Sequence, residues 1–437
     1  MRILFISSGN MMATHLAYIM KNEGHDVKLF IDDPDRNINF KNLVEKTSNW
    51  KEELKWVGKG DNGLIVFDDI GYGKEQDKLR KQGYSVFGGS VAADKLESDR
   101  PFAQRIFSKY GIKTVPIKNF RDITSAINFI KNSGGSWVVK QNGGSSKGLN
   151  YVGQLDNGSD VVNVLMNYRK NYSHQKEVIT LQEKINGVEI GVARYFNGND
   201  WVGPIEYNVE HKKFFPDDMG PATSEMGTIM WYDIDEECVL YKKTLHKLRP
   251  YLKKINFKGD IDINLIVNEK GIYPLEATPR LGSPAIYLQA ELTKSPWGEF
   301  LKAVADGKKY DHSWIKGYGI VVLMATPPFP YAKKIKEISP FGMNIYFDSS
   351  LKRSDFNHIH FEGVAVKNNK GADQYYISDH QGYILYVTAV GKTIKIARTK
   401  VGKLIKHIYF PKMFYRNDIG INFIKNAHDL LRGWGYM

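Results

Sequence analysis

The stretch that decides the fold is GDIDINLIVNEKGIYPLEATPR, residues 259–280, which has the pattern of a β-hairpin. A three-residue turn at 269–271, with Gly271 in the left-handed position, would pair its two strands. Side chains on a strand share a face at every second residue, so this hairpin has an apolar face and a polar face. The polar face carries five residues with side-chain oxygen atoms: Asp260, Asp262, Asn264, Glu276 and Thr278.

The register of this hairpin makes its polar face a candidate metal site. Asn264 is expected to lie opposite Glu276, and Asp262 opposite Thr278. Carboxylate and amide oxygens in such positions suit Mg²⁺ held between a nucleotide and the protein. Arg280, just past the second strand, adds a fork of donors for a carboxylate or a phosphate. The alternative interpretation is a half-exposed hairpin whose polar face simply meets water.

A second candidate site is WVVKQNGGSSKG, residues 137–148, which has the pattern of a strand followed by a glycine-rich turn. Such turns often present backbone N–H groups to phosphate. It is not a Walker A loop, because a strand rather than a helix follows. Lys140, just before the turn, is placed to contact phosphates. The segment 142–148 is therefore interpreted as a flap over nucleotide phosphates, with an ordinary hairpin and a solvated lysine as the alternative.

Around these two segments the chain divides into three regions. Residues 1–98 alternate apolar runs with helix-compatible stretches, which is typical of βαβ units in a parallel sheet. A helix is predicted to enter through Ser98 or Asp99 and to end at Gly111. Residues from about 311 are strand-rich again. We therefore expect regions at 1–98, 99–310 and 311–437.

Composition limits the classes of protein. The 437 residues include 61 Lys and Arg against 48 Asp and Glu, a net charge of +13, and 42% of them are apolar. That apolar share excludes disordered classes. A single cysteine excludes an intramolecular disulfide, and the absence of a long apolar run gives no reason to expect a membrane contact, so we expect a cytoplasmic protein. The positive charge suits anionic partners, but a lysine-rich composition accounts for it equally, and no motif indicates nucleic acid.

Six segments in a fixed order carry a resemblance to a known family. They are FGGSVAADKLESDRPFAQRIFSKYGIKTVP (87–116), WVVKQNGGSSKG (137–148), LQEKINGVEI (181–190), HKKFFPDDMGPATSEMG (211–227), LEATPRLGSP (275–284) and YRNDIG (415–420). Together they resemble the GAR synthetase, or phosphoribosylamine–glycine ligase, family of ATP-grasp enzymes along nearly the whole chain.

The resemblance implies an α/β fold with an N-terminal parallel-sheet domain (1–98) and a two-lobed ATP-grasp body (99–310). The flap lobe of that body would span about 114–185, and a small β-rich domain (311–437) would follow. The implied reaction joins glycine, or a similar amino acid, to an amine through an acyl phosphate, with ATP and Mg²⁺ or Mn²⁺. The implied partners are small molecules, including a phosphorylated amine acceptor, and we expect a monomer.

The resemblance also implies roles for individual residues. The implied ATP contacts are Gln104, Lys140, Gly143, Gly144, Ser145, Gln182, Glu183, Ile185 and Glu189, with Glu189 on the ribose. The implied metal ligands are Glu276, Thr278, Asp262 and Asn264. The implied substrate contacts are Gly9, Asn10, Lys212, Thr223, Met226, Gly227, Arg280 and Gly282, and the catalytic residues are Arg280 and Lys140.

Several positions depart from the family pattern. Gln104 stands where a phosphate-binding lysine is expected, Thr278 where the family has a metal-binding asparagine, and Glu225 where a glycine is usual. Near the N-terminus, Asn10 lies in a turn, SSGNMMATHLA (7–17), that lacks most of the family's glycines. Two alternatives therefore stay open: a ligase for a different amine, such as one on a nucleotide or nucleic acid, or a nucleotide-binding protein without catalysis.

Overall fold

The computed structural model describes residues 1–141, 150–171, 179–331, 335–369 and 372–437. A parallel sheet forms the N-terminal part, and antiparallel sheets form most of the rest. The predicted α/β class is therefore confirmed.

The N-terminal sheet has five parallel strands in the order β3-β2-β1-β4-β5. Its central strands are buried along almost their whole length, because helices and neighbouring segments cover both faces. The strands are β1 (Arg2–Ser7), β2 (Asp26–Ile31), β3 (Glu45–Lys46), β4 (Gly63–Phe67) and β5 (Val86–Phe87). The helices are α1 (His15–Asn22), α2 (Leu54–Val57), α3 (Gly73–Lys81), α4 (Val91–Ser98) and α5 (Arg100–Lys109).

Helix α5 is the helix predicted between Ser98 and Gly111. The Asp99 side chain caps it by accepting a hydrogen bond from the backbone N–H of Phe102 at 2.9 Å. Pro101 lies in its first turn, where a missing N–H costs nothing. Gly111 follows the helix with a φ of 72°, which glycine adopts without strain.

A second lobe has a four-stranded sheet in the order β6-β9-β7-β8 and its own hydrophobic core. Its strands are β6 (Ile117–Phe120), β7 (Trp137–Gln141), β8 (Tyr151–Val152) and β9 (Ile179–Glu183). Two helices, α6 (Ile123–Ser133) and α7 (Ser159–Asn171), belong to the same lobe. This lobe lies within the predicted flap lobe at about 114–185.

The largest sheet has eight antiparallel strands in the order β16-β15-β10-β11-β14-β17-β22-β19. They are β10 (Val188–Asn197), β11 (Trp201–Glu210), β14 (Gly227–Asp233), β15 (Lys258–Asn268), β16 (Gly271–Thr278), β17 (Tyr318–Ala325), β19 (Ile359–Phe361) and β22 (Tyr383–Gly391). The last three come from beyond residue 310 and extend the sheet of the preceding region. The three-region division itself remains a prediction.

The other strands form two-stranded pairs: β12 (Lys213–Phe215) with β13 (Met219–Ala222), β18 (Tyr346–Phe347) with β23 (Ile408–Tyr409), and β20 (Val364–Asn369) with β21 (Ala372–Ile377). The remaining α-helices are α8 (Val239–Lys243), α9 (Arg249–Lys254), α10 (Ala285–Leu292), α11 (Trp297–Asp306), α12 (Ile394–Ile405) and α13 (His428–Gly433). None of the helices described has the length and hydropathy that a membrane-spanning segment requires.

Candidate active site

The hairpin at 259–280 forms β15 and β16, and its turn is shorter than predicted. Asn268 pairs with Gly271, so the loop is Glu269–Lys270 and the predicted three-residue turn is wrong. A β-bulge at Leu275 inserts one extra residue and restores the register beyond it.

The predicted register is therefore correct for the residue pairs of the candidate metal site. Asn264 pairs with Glu276, and Asp262 pairs with Thr278. Ile263 and Ala277, on the opposite face of the hairpin, are fully buried in the core. One face packs on apolar residues and the other carries the oxygen-rich side chains, as the alternation predicts.

Three further polar residues on β11 join this surface, and the sequence analysis did not single them out. They are Glu206, Asn208 and Glu210, which share one face of β11 at every second position. Asn208 donates from Nδ2 to Oδ2 of Asp262 at 2.7 Å, across the intervening strand β10. That reach requires Gly191 on β10, because a Cβ there would collide with the Asn208 amide. The period-two alternation in IEYNVE (205–210) was the available signal.

We call this surface the polar face. It comprises Glu189 on β10, Glu206, Asn208 and Glu210 on β11, and Asp260, Asp262, Asn264, Glu276 and Thr278 on the hairpin.

Lys212, a predicted substrate contact, lies among three carboxylates of the polar face. Its Nζ is 2.6 Å from Glu210 Oε2, 3.0 Å from Glu189 Oε1 and 3.8 Å from Glu276 Oε1. Burial lowers the pKa of Lys212, but the three carboxylates outweigh it and raise the pKa well above its usual value. Lys212 is therefore charged at neutral pH.

Lys140, on β7 of the second lobe, faces the same group of charges. Burial and the positive charges of Arg100 and Lys212 lower its pKa, and the carboxylates of Glu276 and Glu189 oppose that effect. The structure thus brings together four residues that the sequence analysis assigned to the ATP and metal contacts or the substrate: Lys140, Glu189, Lys212 and Glu276.

Gln104, on α5, is 7% exposed, and neither atom of its side-chain amide has a hydrogen-bond partner among the described residues. Arg100 lies one helical turn before Gln104 on α5. Arg100 donates from Nη1 to the Leu275 carbonyl at 2.8 Å, and its Nη2 lies 3.4 Å from Glu276 Oε2. Arg105 is exposed.

Gln182, on β9, is 2% exposed and likewise has an unpartnered amide in the described chain. Glu183 ends the same strand, and Ile185 is half-buried in the connection that leads to β10. The predicted contacts Gly143, Gly144 and Ser145, and the predicted flap at 142–148, lie outside the described residues.

The predicted substrate segment at 223–227 packs against Lys212. Thr223 donates from its backbone N and from Oγ1 to the Lys212 carbonyl, at 2.7 and 2.8 Å. Met226 is fully buried, and Gly227 approaches the backbone of Val321 so closely that no side chain fits. Just before Met226, Glu225 is 4% exposed, and burial followed by the charge of Glu210 raises its pKa well above the usual value.

The loop after β1 contains the predicted substrate contacts Gly9 and Asn10. Its backbone N–H groups are used internally: Ser8 N and Ala13 N donate to the Asp68 carboxylate at 3.0 and 3.2 Å. Burial and the neighbouring charge of Asp69 raise the pKa of Asp68 to about 7. A carboxylate of the protein therefore occupies backbone donors that are otherwise suited to an anion.

Arg280 joins this loop to the end of the hairpin. Its guanidinium lies 3.2 Å from Asp69 Oδ1 and 3.0 Å from Glu97 Oε1. Asp69 in turn accepts hydrogen bonds from Ser8 Oγ at 2.8 Å and Asn10 Nδ2 at 2.9 Å. We call these five residues the acceptor-side network.

Burial disfavours the charge of Arg280, but Glu97 and Asp69 outweigh it and raise its pKa. The negative charge of Glu276 acts on Arg280 too, so the acceptor-side network adjoins the polar face. Gly282, the last predicted substrate contact, follows Arg280 and accepts a hydrogen bond from Ile286 N at 2.7 Å in the first turn of α10.

The polar face fits a metal ion that is held jointly with a nucleotide. Within the described ranges no group of three or more His, Cys, Asp or Glu side chains could hold a metal alone. Asp262 Oδ1 and Asn264 Oδ1 are buried oxygen atoms without a hydrogen-bond partner there. Mg²⁺ is usually bound by one or two carboxylates together with substrate phosphates, and such a donor set fits that mode.

Comparisons with known proteins agree with this geometry. The family model of the phosphoribosylglycinamide synthetase ATP-grasp (A) domain matches residues 98–286. A phosphoribosylamine–glycine ligase of Fusobacterium nucleatum is 27% identical over 400 residues, which cover 88% of this chain and 89% of the relative.

Two solved structures show the shared fold. The phosphoribosylamine–glycine ligase of Thermotoga maritima has a TM-score of 0.69 at 20% identity, covering 96% of this chain and 100% of that one. A biotin carboxylase of Campylobacter jejuni has a TM-score of 0.63 at 13% identity, covering 98% of this chain and 96% of that one. Residues 98–286 are therefore similar to the ATP-grasp domain of GAR synthetases, and the chain as a whole is similar to phosphoribosylamine–glycine ligases.

Proposed function

We propose that the chain is an ATP-dependent carboxylate–amine ligase that activates glycine, or a similar small amino acid, and joins it to an amine. One observation carries this proposal: Glu276 lies opposite Asn264 on the polar face, with Lys212 beside it and Lys140 acting on it electrostatically. Oxygen ligands next to cations suit the transfer of a phosphoryl group.

The reaction has two balanced steps. A carboxylate oxygen of the amino acid attacks the γ-phosphorus of ATP, which gives an acyl phosphate and ADP. The amine nitrogen then attacks the acyl carbon, expels phosphate and loses a proton, which leaves an amide. No side-chain nucleophile is needed.

The residues of this chain supply binding and charge. Lys140 would neutralise phosphate oxygens of ATP, Lys212 would contact the substrate, and Glu189 would accept hydrogen bonds from the ribose hydroxyls. The stretch 182–185 would frame the adenine. Glu276 and Asn264 would hold a divalent cation, for which we propose Mg²⁺, with Mn²⁺ as a substitute. When bound, that cation neutralises the charge that develops on the transferred phosphoryl group.

The acceptor-side network favours a second candidate function, a ligase whose acceptor is not phosphoribosylamine. Asp68 already accepts hydrogen bonds from Ser8 N and Ala13 N, and Asp69 and Glu97 neutralise Arg280. A phosphate group near this network would meet carboxylates rather than free donors. We therefore propose that an amine without a phosphate at this position is used better than a phosphorylated one.

The test measures ADP release with ATP, Mg²⁺ and glycine and with one acceptor at a time: phosphoribosylamine, a nucleotide amine, or an unphosphorylated amine. We expect ADP and amide product in equal amounts with at least one acceptor. No ADP with any carboxylate and amine would contradict the ligase proposal. Turnover with phosphoribosylamine alone would contradict only the second candidate.

The remaining proposals concern the setting of the enzyme. We propose that it acts in the cytoplasm as a monomer on small-molecule substrates. An amine on a nucleotide is an outcome that the acceptor comparison tests.

A further inference from the structure

A cavity of about 390 Å³ lies in the C-terminal region, and none of its lining residues belongs to the polar face or the acceptor-side network. Helix α12 and β17 contribute apolar side chains to its wall, among them Ile320, Val322, Val401 and Ile405. Its volume falls in the range of small-molecule binding sites.

The charged side chains that line this cavity are cationic. Four charged side chains line it, all positive: Arg398, Lys403, Lys406 and Arg416. Arg416 is neutralised by Asp218 at 2.9 Å and Asp418 at 2.6 Å. Lys403 and Lys406 are exposed and have no ion pair or hydrogen bond with any residue that the structure describes. The cavity therefore has uncompensated positive charge.

Arg398 adds to this charge from a more buried position. It donates from Nη2 to the Asn417 carbonyl at 2.8 Å and from Nη1 to the Ile419 carbonyl, and no carboxylate pairs with it in the described chain. Burial lowers its pKa, and the charge of Asp418 opposes that effect without cancelling it. Residues 380–417 contain eight Lys and Arg and no Asp or Glu, so this stretch carries much of the net charge of +13.

Gly402, inside α12, borders the same cavity. Glycine is unfavourable in a helix interior, so a packing reason would be expected. None exists here, because a Cβ at Gly402 would meet no atom within 4 Å. The glycine instead leaves room in the cavity. Tyr415, which is 38% exposed, adds an aromatic ring to the same wall.

We propose that this cavity binds a phosphate monoester with a flat apolar body, of the class of nucleoside monophosphates. The phosphate is held by Arg398, Lys403 and Lys406, since charge-assisted hydrogen bonds to phosphate are the strong ones. The body lies on the apolar wall beside Tyr415. This site is separate from the proposed ATP site, so its test does not depend on ligase activity.

The experiment measures binding of adenosine 5′-monophosphate to the intact chain by calorimetry, with adenosine and ribose 5-phosphate as comparison ligands. We expect the monophosphate to bind about tenfold or more tightly than either, because each comparison ligand lacks one half of the recognised group. Adenosine binding as tightly as its monophosphate would overturn the anion assignment. Ribose 5-phosphate binding as tightly as adenosine monophosphate would overturn the claim that the apolar wall binds a flat apolar body.

Substitutions in the lining test whether adenosine monophosphate binds in this cavity. Lys403→Glu with Lys406→Glu should weaken adenosine monophosphate binding about tenfold or more, whereas Lys392→Glu with Lys395→Glu, an equal charge change on residues that do not line the cavity, should not. Gly402→Leu should block the cavity, and Gly402→Ala should be tolerated better. Unchanged binding in both the Lys403/Lys406 double variant and Gly402→Leu would place the ligand elsewhere and overturn the proposal.

Discussion

The polar face and the acceptor-side network both gather carboxylates, yet they hold them differently. On the polar face, buried oxygen atoms of Asp262 and Asn264 have no hydrogen-bond partner among the described residues, and Lys212 is shared by three acids. In the acceptor-side network, Arg280 is held between two acids, and neighbouring Asp68 accepts from backbone donors. The first surface still has groups available for a ligand, whereas the second is largely satisfied from within.

This difference determines what substitutions in the two regions should change. Under the proposed function, the polar face holds groups that would contact the cation and ATP, so substitutions there should reduce phosphoryl transfer. The acceptor-side network is held by internal ion pairs, so substitutions there should first reduce stability. The predictions below separate the two regions.

The largest expected effect is on stability, from Arg280→Met. The substitution leaves Asp69 and Glu97 as neighbouring acids without their cation, and breaking such a buried pair costs about 3 to 5 kcal/mol. The measurement is the free energy of unfolding in urea. Arg249→Met is the matched control, because its bidentate pair with Asp200 is exposed and should cost less than about 1 kcal/mol. Equal losses would contradict the internal role of Arg280.

The next effect is on phosphoryl transfer, from Glu276→Gln. The amide is a poorer ligand for a divalent cation, so ADP formation should fall by about 100-fold or more while the fold is retained. Glu269→Gln, in the exposed turn of the same hairpin, should leave the rate unchanged. Near-normal ADP formation in Glu276→Gln would contradict the placement of the cation on the polar face.

The hairpin also shows how far sequence reasoning reaches. The pairings of Asn264 with Glu276 and of Asp262 with Thr278 were predicted correctly although the turn was not. The bulge at Leu275 compensates for the shorter turn, and the adjacent Pro274 was a local signal for it. An apolar face that must pack on the core strongly constrains the register of a strand. The residue pairs of the site were therefore predicted correctly although the predicted turn was wrong.

Residues from other strands were harder to predict. The acids of β11 join the polar face only because β10 lies between β11 and β15, and the strand order is not visible in the sequence. The partners of Arg280 lie far away in the chain, in β4's following loop and at the end of α4. Resemblance placed Arg280 near the substrates, but it could not show that Asp69 and Glu97 neutralise it.

A smaller effect concerns nucleotide affinity. Lys140→Ala should weaken ATP binding by about 1.5 to 3 kcal/mol, the usual size for a hydrogen bond to a charged group. Lys118→Ala, an exposed lysine on β6 of the same lobe, is the control. Calorimetry with a non-hydrolysable ATP analogue and Mg²⁺ measures both. Equal affinities in the two variants would remove Lys140 from the ATP site.

The smallest effect, expressed per pH unit, is the pH dependence that Asp68 gives to the free energy of unfolding. The pKa of Asp68 rises from 3.8 to about 7 on folding, because burial disfavours its charge. Its contribution to stability is therefore fully present below pH 3.8 and is lost as the pH rises through 7, by up to about 1.4 kcal/mol per pH unit. Urea unfolding of the wild type and Asp68→Asn between pH 4 and 8 measures it. Parallel pH profiles of the two proteins would contradict the raised pKa.

The central claim is that the reaction passes through an acyl phosphate. The most direct test follows a carboxylate oxygen of glycine. Glycine labelled with ¹⁸O in its carboxylate is supplied with ATP, Mg²⁺ and an accepted amine, and the released phosphate is analysed by mass spectrometry. An acyl phosphate requires that one carboxylate oxygen leaves with the phosphate, so we predict one ¹⁸O in each phosphate and ADP as the nucleotide product. Phosphate without the label, or AMP with pyrophosphate, would contradict the account.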